Sequence, residues 1–246
     1  MGNHNKKNII IKVENLTKSF GDNHVLQGFS MELYHGENLV LMGKSGCGKS
    51  VMIKCLIGLM KPDSGTIEIM NKNITQLNQK ELDELRMEIG FLFQGSALYD
   101  SMTVKENLEF PLRNHKEKFK NKDHLVMDAL ESVGLLEAIN LMPEELSGGM
   151  KRRIALARAI IMRPKIIIYD EPTTGLDPIT AKEIILLMRK IQDHYKASSI
   201  IITHDVDCAR VISNRMILLI DGINYAEGTF NELSTVNDKK IQAFFK

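Results

Sequence analysis

Apolar positions along this chain change rhythm several times, and each change predicts an element. Residues 9–13 and 25–33 carry branched or alternating apolar side chains, a strand pattern, and Gly21-Asp22-Asn23 between them reads as a turn. A continuous apolar run at 38–42 predicts a buried strand, and residues 51–59 have the length and apolar faces of a helix. Lys61-Pro62-Asp63-Ser64-Gly65 is a turn, followed by a strand at 66–70, a polar helix at 80–86 and a short apolar strand at 89–93. The strand signal then stops. Residues 104–113 and 124–133 read as helices joined by a solvated, charge-rich loop at 115–123, so a helical insertion runs from about 95 to 160. Strands return at 166–170, 198–203 and 216–220, interleaved with helices at 179–195 and 205–212, and Asp221-Gly222 opens a hairpin. The alternation predicts an α/β protein with a mainly parallel sheet covered on both faces.

The loop between the strand at 38–42 and its helix reads Gly43-Lys44-Ser45-Gly46-Cys47-Gly48-Lys49-Ser50. Glycines let successive N–H groups turn inward around a pyrophosphate, and the helix start adds its positive dipole end. Lys49 supplies a point charge for the outer phosphates, and the Ser50 hydroxyl can ligate Mg²⁺. Asp170 ends an apolar strand, where an acid can hold that Mg²⁺ directly or through water. Glu171 follows at once, a second carboxylate suited to orienting or deprotonating attacking water. His204 and Gln94 end two further strands, on the edge where parallel sheets bind ligands. The histidine can donate to a γ-phosphate, and the amide can contact Mg²⁺ or the water. Phe20, just before the first turn, is either a core side chain or an aromatic platform for adenine.

Further on, Glu145-Leu146-Ser147-Gly148-Gly149-Met150 leads into an apolar-faced helix. Ser147 is a good N-cap, and Gly148 and Gly149 leave backbone N–H groups exposed, a second anion-binding helix start. One phosphate loop with two such starts makes most sense if the second serves another subunit. Lys151, Arg152 and Arg153 follow in the first turns, where cations oppose the macrodipole; solvation, or an anion or acidic partner, would offset that repulsion. Cys47, at a helix start beside Lys49, sits where a thiolate is favoured.

Charge excludes one class of partner. Thirty-two Lys and Arg face 31 Asp and Glu, a formal net charge of +1, which supplies no phosphate-contact surface for nucleic acid. Three cysteines, Cys47, Cys55 and Cys208, without paired spacing suit a reducing cytosol. No apolar stretch matches a bilayer, and Met1-Gly2-Asn3-His4-Asn5-Lys6-Lys7 lacks both a signal-peptide core and a myristoylation pattern. The expectation is a cytoplasmic chain that reaches a membrane through a partner.

In order, the loop at 43–50, Gln94, Leu146-Ser147-Gly148-Gly149-Met150, residues 166–171, Gly175-Leu176-Asp177 and His204 resemble the nucleotide-binding subunit of ATP-binding cassette transporters, over about 9–228. The resemblance implies a P-loop NTPase of α/β class. It would have a RecA-like core at about 1–94 and 161–246, an N-terminal antiparallel β subdomain, and a helical subdomain at about 95–160, all one nucleotide-binding domain of residues 1–246. It implies a head-to-tail homodimer enclosing ATP and Mg²⁺. Phe20 would stack adenine; Gly43 to Ser50 would hold the phosphates; Ser50, Gln94 and Asp170 would hold Mg²⁺. Glu171 would be the catalytic carboxylate and His204 the switch histidine. Ser147, Gly148 and Gly149 would serve the opposite protomer's nucleotide, with Asp177 at the dimer seam.

Met150 stands where the family pattern has Gln, so that side chain's hydrogen bonds are lost while Ser147 and the backbone donors remain. With Lys151-Arg152-Arg153, and with the stretch from Phe93 through Val104 and on to Arg113, it is similar to ATPases that drive phospholipid transport with MCE-domain proteins, the maintenance-of-lipid-asymmetry type. The resemblance implies permease subunits and an MCE-type partner on the inner face of the cell membrane. The alternatives are the same motor on another permease, such as an amino-acid importer, and a non-transport cassette acting on the ribosome or DNA.

Overall fold

The chain divides into two compact units, seen here in a computed structural model that describes residues 9–115, 117 and 119–245. The leader and lipidation reading of Met1 to Lys7 lies outside these residues, as do two positions of the charge-rich loop. One unit holds the chain up to Arg86 together with Ser198 onward, and the other is Met87–Ala197.

In the first unit, β1 (Ile9–Phe20) and β2 (Asn23–Tyr34) form a long antiparallel hairpin, extended by β4 (Ser64–Ile69) and the short β5 (Lys72–Asn73) in the order β2-β1-β4-β5. Both strands are longer than their sequence pattern, because register shifts along β1 break the alternation that marks a strand. β4 likewise starts two residues earlier than predicted. Gly65 lies there with φ 93°, and an added Cβ would sit 2.6 Å from the Glu14 and Asn15 carbonyl oxygens, so only glycine fits. The unit's second group of strands contains β3 (Asn38–Met42), β8 (Ser198–Ile202), β9 (Arg215–Ile220) and β10 (Ile223–Gly228). β3 runs parallel to both β8 and β9, and β10 closes antiparallel on β9. Every residue of β3 and β8 is buried, as expected for parallel strands covered on both faces.

Helix α1 (Lys49–Leu56) ends earlier than the apolar run suggests. Gly58 takes φ 68° and the Leu59 N–H turns back to the Lys54 carbonyl, a left-handed stop. Arg86, on α2 (Gln79–Met87), donates from Nε to Ile57 O at 3.0 Å and from Nη2 to Gly58 O at 3.1 Å, satisfying that helix end with a cation. α7 (Val206–Ile212) precedes β9. After β10 come two short helices that the sequence pattern does not announce, α8 (Phe230–Thr235) and α9 (Lys239–Gln242). Their signal lies in their caps: Thr229 and Glu232 form a capping box, and Asp238 accepts from the Lys240 and Ile241 N–H groups.

The second unit carries a parallel pair, β6 (Ile89–Leu92) and β7 (Ile166–Asp170), with helices α3 (Val104–Glu109), α4 (Lys122–Ser132), α5 (Gly148–Ile160) and α6 (Pro178–Tyr195). The helix predicted to run to Arg113 becomes 3-10 from Phe110 because Pro111 has no N–H to continue the α ladder.

A half-buried ion cluster fastens β9 within the first unit. Arg215 donates from Nε and Nη2 to both Glu37 carboxylate oxygens at 2.8 and 2.9 Å, pairs with Glu227 of β10 through Nη1, and stacks 5.0 Å from the Tyr34 ring. Burial lowers the guanidinium pKa, but Glu37 and Glu227 outweigh it and hold the group above its ordinary value. Tyr34 donates its hydroxyl to Glu32 at 2.8 Å; burial first, then that bond, push its pKa from 10.0 to about 12. A phenol raised this way stabilises the fold fully below pH 10 and loses that contribution as pH climbs to about 12, because the unfolded chain ionises first. Melting temperature should therefore fall more steeply across this window in the parent than in Tyr34→Phe; parallel slopes would refute the coupling.

Candidate functional site

Gly43 leaves β3 with no room for a side chain. A Cβ there would lie 2.4 Å from Cys47 Sγ and 2.8 Å from the Leu219 carbonyl oxygen. Gly46 and Gly48 have φ of 79° and 107°, a left-handed backbone that L side chains avoid, and a Cβ on Gly48 would crowd Val25 O at 3.0 Å. Gly48 is the N-cap of α1, and among the described residues no side chain caps it. The first-turn N–H groups therefore face an open, glycine-lined cradle flanked by exposed Lys44, Ser45 and Gly46. Lys49 folds its ammonium over the same loop, donating to Gly43 O at 2.6 Å and Lys44 O at 2.9 Å and lying 3.9 Å from Cys47 Sγ. This cradle fits a phosphate chain: uncapped donors, a positive helix end and an ammonium converge.

Elsewhere in the first unit, Phe20 ends β1 with 49% of its surface exposed, and the Lys18 ammonium lies 5.7 Å from its ring centroid. That exposure excludes the core reading. His204 stands exposed after β8, between fully buried Thr203 and Asp205. Asp205 accepts from the Asp207 and Cys208 N–H groups and caps α7, so the backbone presenting the histidine is fixed.

The second unit holds the remaining residues. Gln94 is exposed two residues beyond β6, and Ser96 and Ala97 follow with positive φ of 61° and 49°. That bent loop is pinned by Asn107, which is fully buried; its amide donates to the Tyr99, Met102 and Thr103 carbonyls and accepts from Tyr99 N. Arg158 donates to Ser96 O at 3.1 Å from the other side. Asp170 closes β7, half-buried, and Glu171 follows with φ 49°, a costly backbone for a side-chain-bearing residue. Thr174 holds Glu171 there, donating from Oγ1 to Oε2 at 3.1 Å and from its N–H to the Glu171 carbonyl at 3.3 Å.

Ser147 caps α5 as expected, its Oγ accepting from Met150 N at 3.2 Å. Gly148 is exposed, and a Cβ on Gly149 would come 2.9 Å from Thr180 Cγ2 on α6. Asp177 caps α6 through the Ile179 and Thr180 N–H groups, and bonds from Thr180 hold its carboxyl below the usual range.

The cations after Ser147 correct the sequence reading. Arg152 and Arg153 both have partners within the chain. Arg152 is buried, donating to Phe93 O at 3.0 Å and Thr174 O at 3.1 Å, and burial lowers its pKa. Arg153 donates to Val133 O and pairs with Glu183 at 2.7 Å. Sequence reasoning missed Arg152 by treating three adjacent cations as one surface run. It lies on the same helical stripe as buried Leu156 and Ala159, a spacing that points it inward.

Residues 26–174 match the model of the ABC transporter family. The methionine import ATP-binding protein MetN of Clostridium tetani is 40% identical over 213 residues, 87% of this chain and 67% of that protein. The probable ribonucleotide transport ATP-binding protein mkl of Mycobacterium leprae is 41% identical, over 86% of this chain and 61% of its own length. The intermembrane phospholipid transport system ATP-binding protein MlaF of Haemophilus influenzae is 37% identical over 96% of this chain and 90% of its own. An ATP-binding cassette solved as a dimer in a post-hydrolysis state with ADP and Pi superposes with TM-score 0.78 at 32% identity, covering 89% of this chain and 98% of that one. With its glycine cradle, capped α5 and strand-end carboxylates, the chain belongs to the ABC transporter family as an ATP-binding cassette, an ATPase of the kind coupled to transport.

Proposed function

We propose that this cassette works as a homodimer beneath membrane permease subunits and powers phospholipid transport together with an MCE-type protein. The observation that carries the motor is the uncapped start of α1 under a folded-back Lys49. The lipid assignment rests on the phospholipid-transport relative, whose match spans nearly the whole of both chains, and on Met150 with the stretch from Phe93 to Arg113.

In this reading ATP stacks its adenine on Phe20 and seats its phosphates on the 43–50 cradle. Lys49 leaves the loop carbonyls for the outer phosphates. Ser50, Gln94 and Asp170 offer hydroxyl, amide and carboxylate oxygens, a donor set that suits Mg²⁺, which when bound would neutralise phosphate charge. Glu171 takes a proton from water as its oxygen bonds to the γ-phosphorus; the bond to the β-γ bridging oxygen breaks and ADP leaves. His204 donates to the γ-phosphate. The exposed first turn of α5, with Ser147, Gly148 and Gly149, closes over the nucleotide of the opposite protomer, with Asp177 at the seam.

Among the described residues no helix is long and apolar enough to cross a membrane. The proposed permease contact is a groove of about 490 Å³ in the second unit, walled by Phe91, Phe93, Tyr99, Phe110 and Arg158 beside the Gln94 loop. Three of those aromatic side chains, Phe93, Tyr99 and Phe110, are 38–47% exposed, an apolar surface that a partner helix would cover. A second reading, an amino-acid importer, is favoured by the methionine-import relative. Purifying the native complex and identifying its proteins and lipids separates the two. An MCE-domain protein with bound phospholipid supports the first, and a small-solute permease without either replaces it.

Two variants and one chemical modification test the site itself. Lys49→Ala should weaken ATP binding about tenfold or more, the loss of a charge-assisted contact; unchanged affinity in a binding titration would remove Lys49 from the phosphates. Glu171→Gln should bind ATP normally, lose turnover by about a hundredfold or more, and accumulate dimers on size exclusion. Hydrolysis near the parent rate would displace Glu171 as the base. Alkylation of Cys47 should stop ATP binding and be slowed by ATP, because its sulfur lines the cradle; an alkylated chain that still binds ATP at full affinity would show it to be filler.

A further inference from the structure

Arg152 joins three segments that the site uses separately. Its Nη1 donates to the carbonyl of Phe93, the residue before Gln94, and its Nη2 to the carbonyl of Thr174. Thr174 in turn holds the Glu171 carboxylate through Oγ1 and the Glu171 carbonyl through its N–H. The guanidinium itself rides on α5, five residues beyond the Ser147 cap. A shift of α5 therefore pulls on both carbonyls at once. All these residues lie in one compact unit.

Packing alone gives no reason for a cation here. Arg152 is 4% exposed, no carboxylate among the described residues reaches it, and its buried Nε has no hydrogen-bond partner. An apolar side chain of the same length would avoid the cost of desolvating that charge. What a guanidinium adds is a rigid planar fork whose two arms fix two acceptors at a set separation, which an ammonium cannot reproduce.

We propose that Arg152 is a positioning residue that transmits the seating of α5 to Glu171 and Gln94, so that nucleotide held by one protomer's α5 sets the hydrolytic geometry of that same protomer's own site. The inference rests on the dimeric reading above, in which α5 faces the partner's nucleotide. It makes the two sites of a dimer interdependent through one side chain in each chain.

The test uses the full chain. Arg152→Met and Arg152→Lys should keep ATP affinity within about twofold of the parent while kcat falls about tenfold or more and the Hill coefficient for ATP drops towards one. A merely structural role would instead lower melting temperature and lose activity in proportion to unfolded protein. Either that pattern or a kcat within about twofold of the parent in Arg152→Lys would overturn the proposal. Should Arg152→Met fail to fold, a double-mutant cycle of Arg152→Lys with Thr174→Val decides. Losses in kcat that fail to add place both residues on one path, and additive losses overturn it. Glu171→Gln, run in parallel, keeps the two readings apart. If it hydrolyses normally, the catalytic assignment falls. If it is inactive while Arg152→Lys turns over like the parent, only the present inference falls.

Discussion

A helix that begins without a side-chain cap must find its acceptors elsewhere, and α1 is built around that deficit. Gly48 contributes backbone geometry but no side-chain oxygen, so the first-turn donors stay open to an anion. The surroundings keep them aimed. Gly43 is wedged against Leu219 and Cys47, Gly48 against Val25, and the far end of the helix is tied down by Arg86. Lys49 covers the cradle by bonding to two of its carbonyls, the contacts that the proposed function has it exchange for phosphate oxygens. The rest of the first unit serves chiefly to hold this turn still, with a buried strand before it and an ion cluster fixing the strand beside it.

The second unit spends stability in several places. Glu171, Ser96 and Ala97 all take left-handed backbone, each at a cost of about 1–3 kcal/mol. Asn107 and Thr174 act as local restraints that make those conformations the favoured ones. Strain and restraint occur together at the loop after Gln94 and at the turn after Asp170, the two places where strand ends present polar groups. The helices, by contrast, begin conventionally, with Thr103, Ser147 and Asp177 as caps.

Much of this was legible because the sequence states it locally. A glycine loop between a buried strand and a helix, an isoleucine run ending in two carboxylates, and Ser147 before two glycines each announce their geometry within a few residues. What stayed hidden depends on distant partners. Arg152 reads as one of three surface cations until Phe93 and Thr174, far away in the chain, are seen to accept from it. The bulges of β1 disguised its length. The tail helices were too short for periodicity to register, although their caps were written plainly. Glu171's left-handed backbone had no signal at all, since nothing in a glutamate predicts it.

The pairing of β3 also sets an order of assembly. This strand ends at Met42, but both of its neighbours, β8 and β9, begin far later, at Ser198 and Arg215. A ribosome adding about 5–20 residues per second delivers them roughly 8–30 s after β3 has emerged. Throughout that interval five apolar or backbone-hungry residues, destined for complete burial, have no strand to pair with. The intervening Met87–Ala197 segment can meanwhile form its own compact contacts. The glycine loop at 43–50 is thus made well before the strands that give it its shape, so a stall between the two leaves a fully translated but unformed cradle.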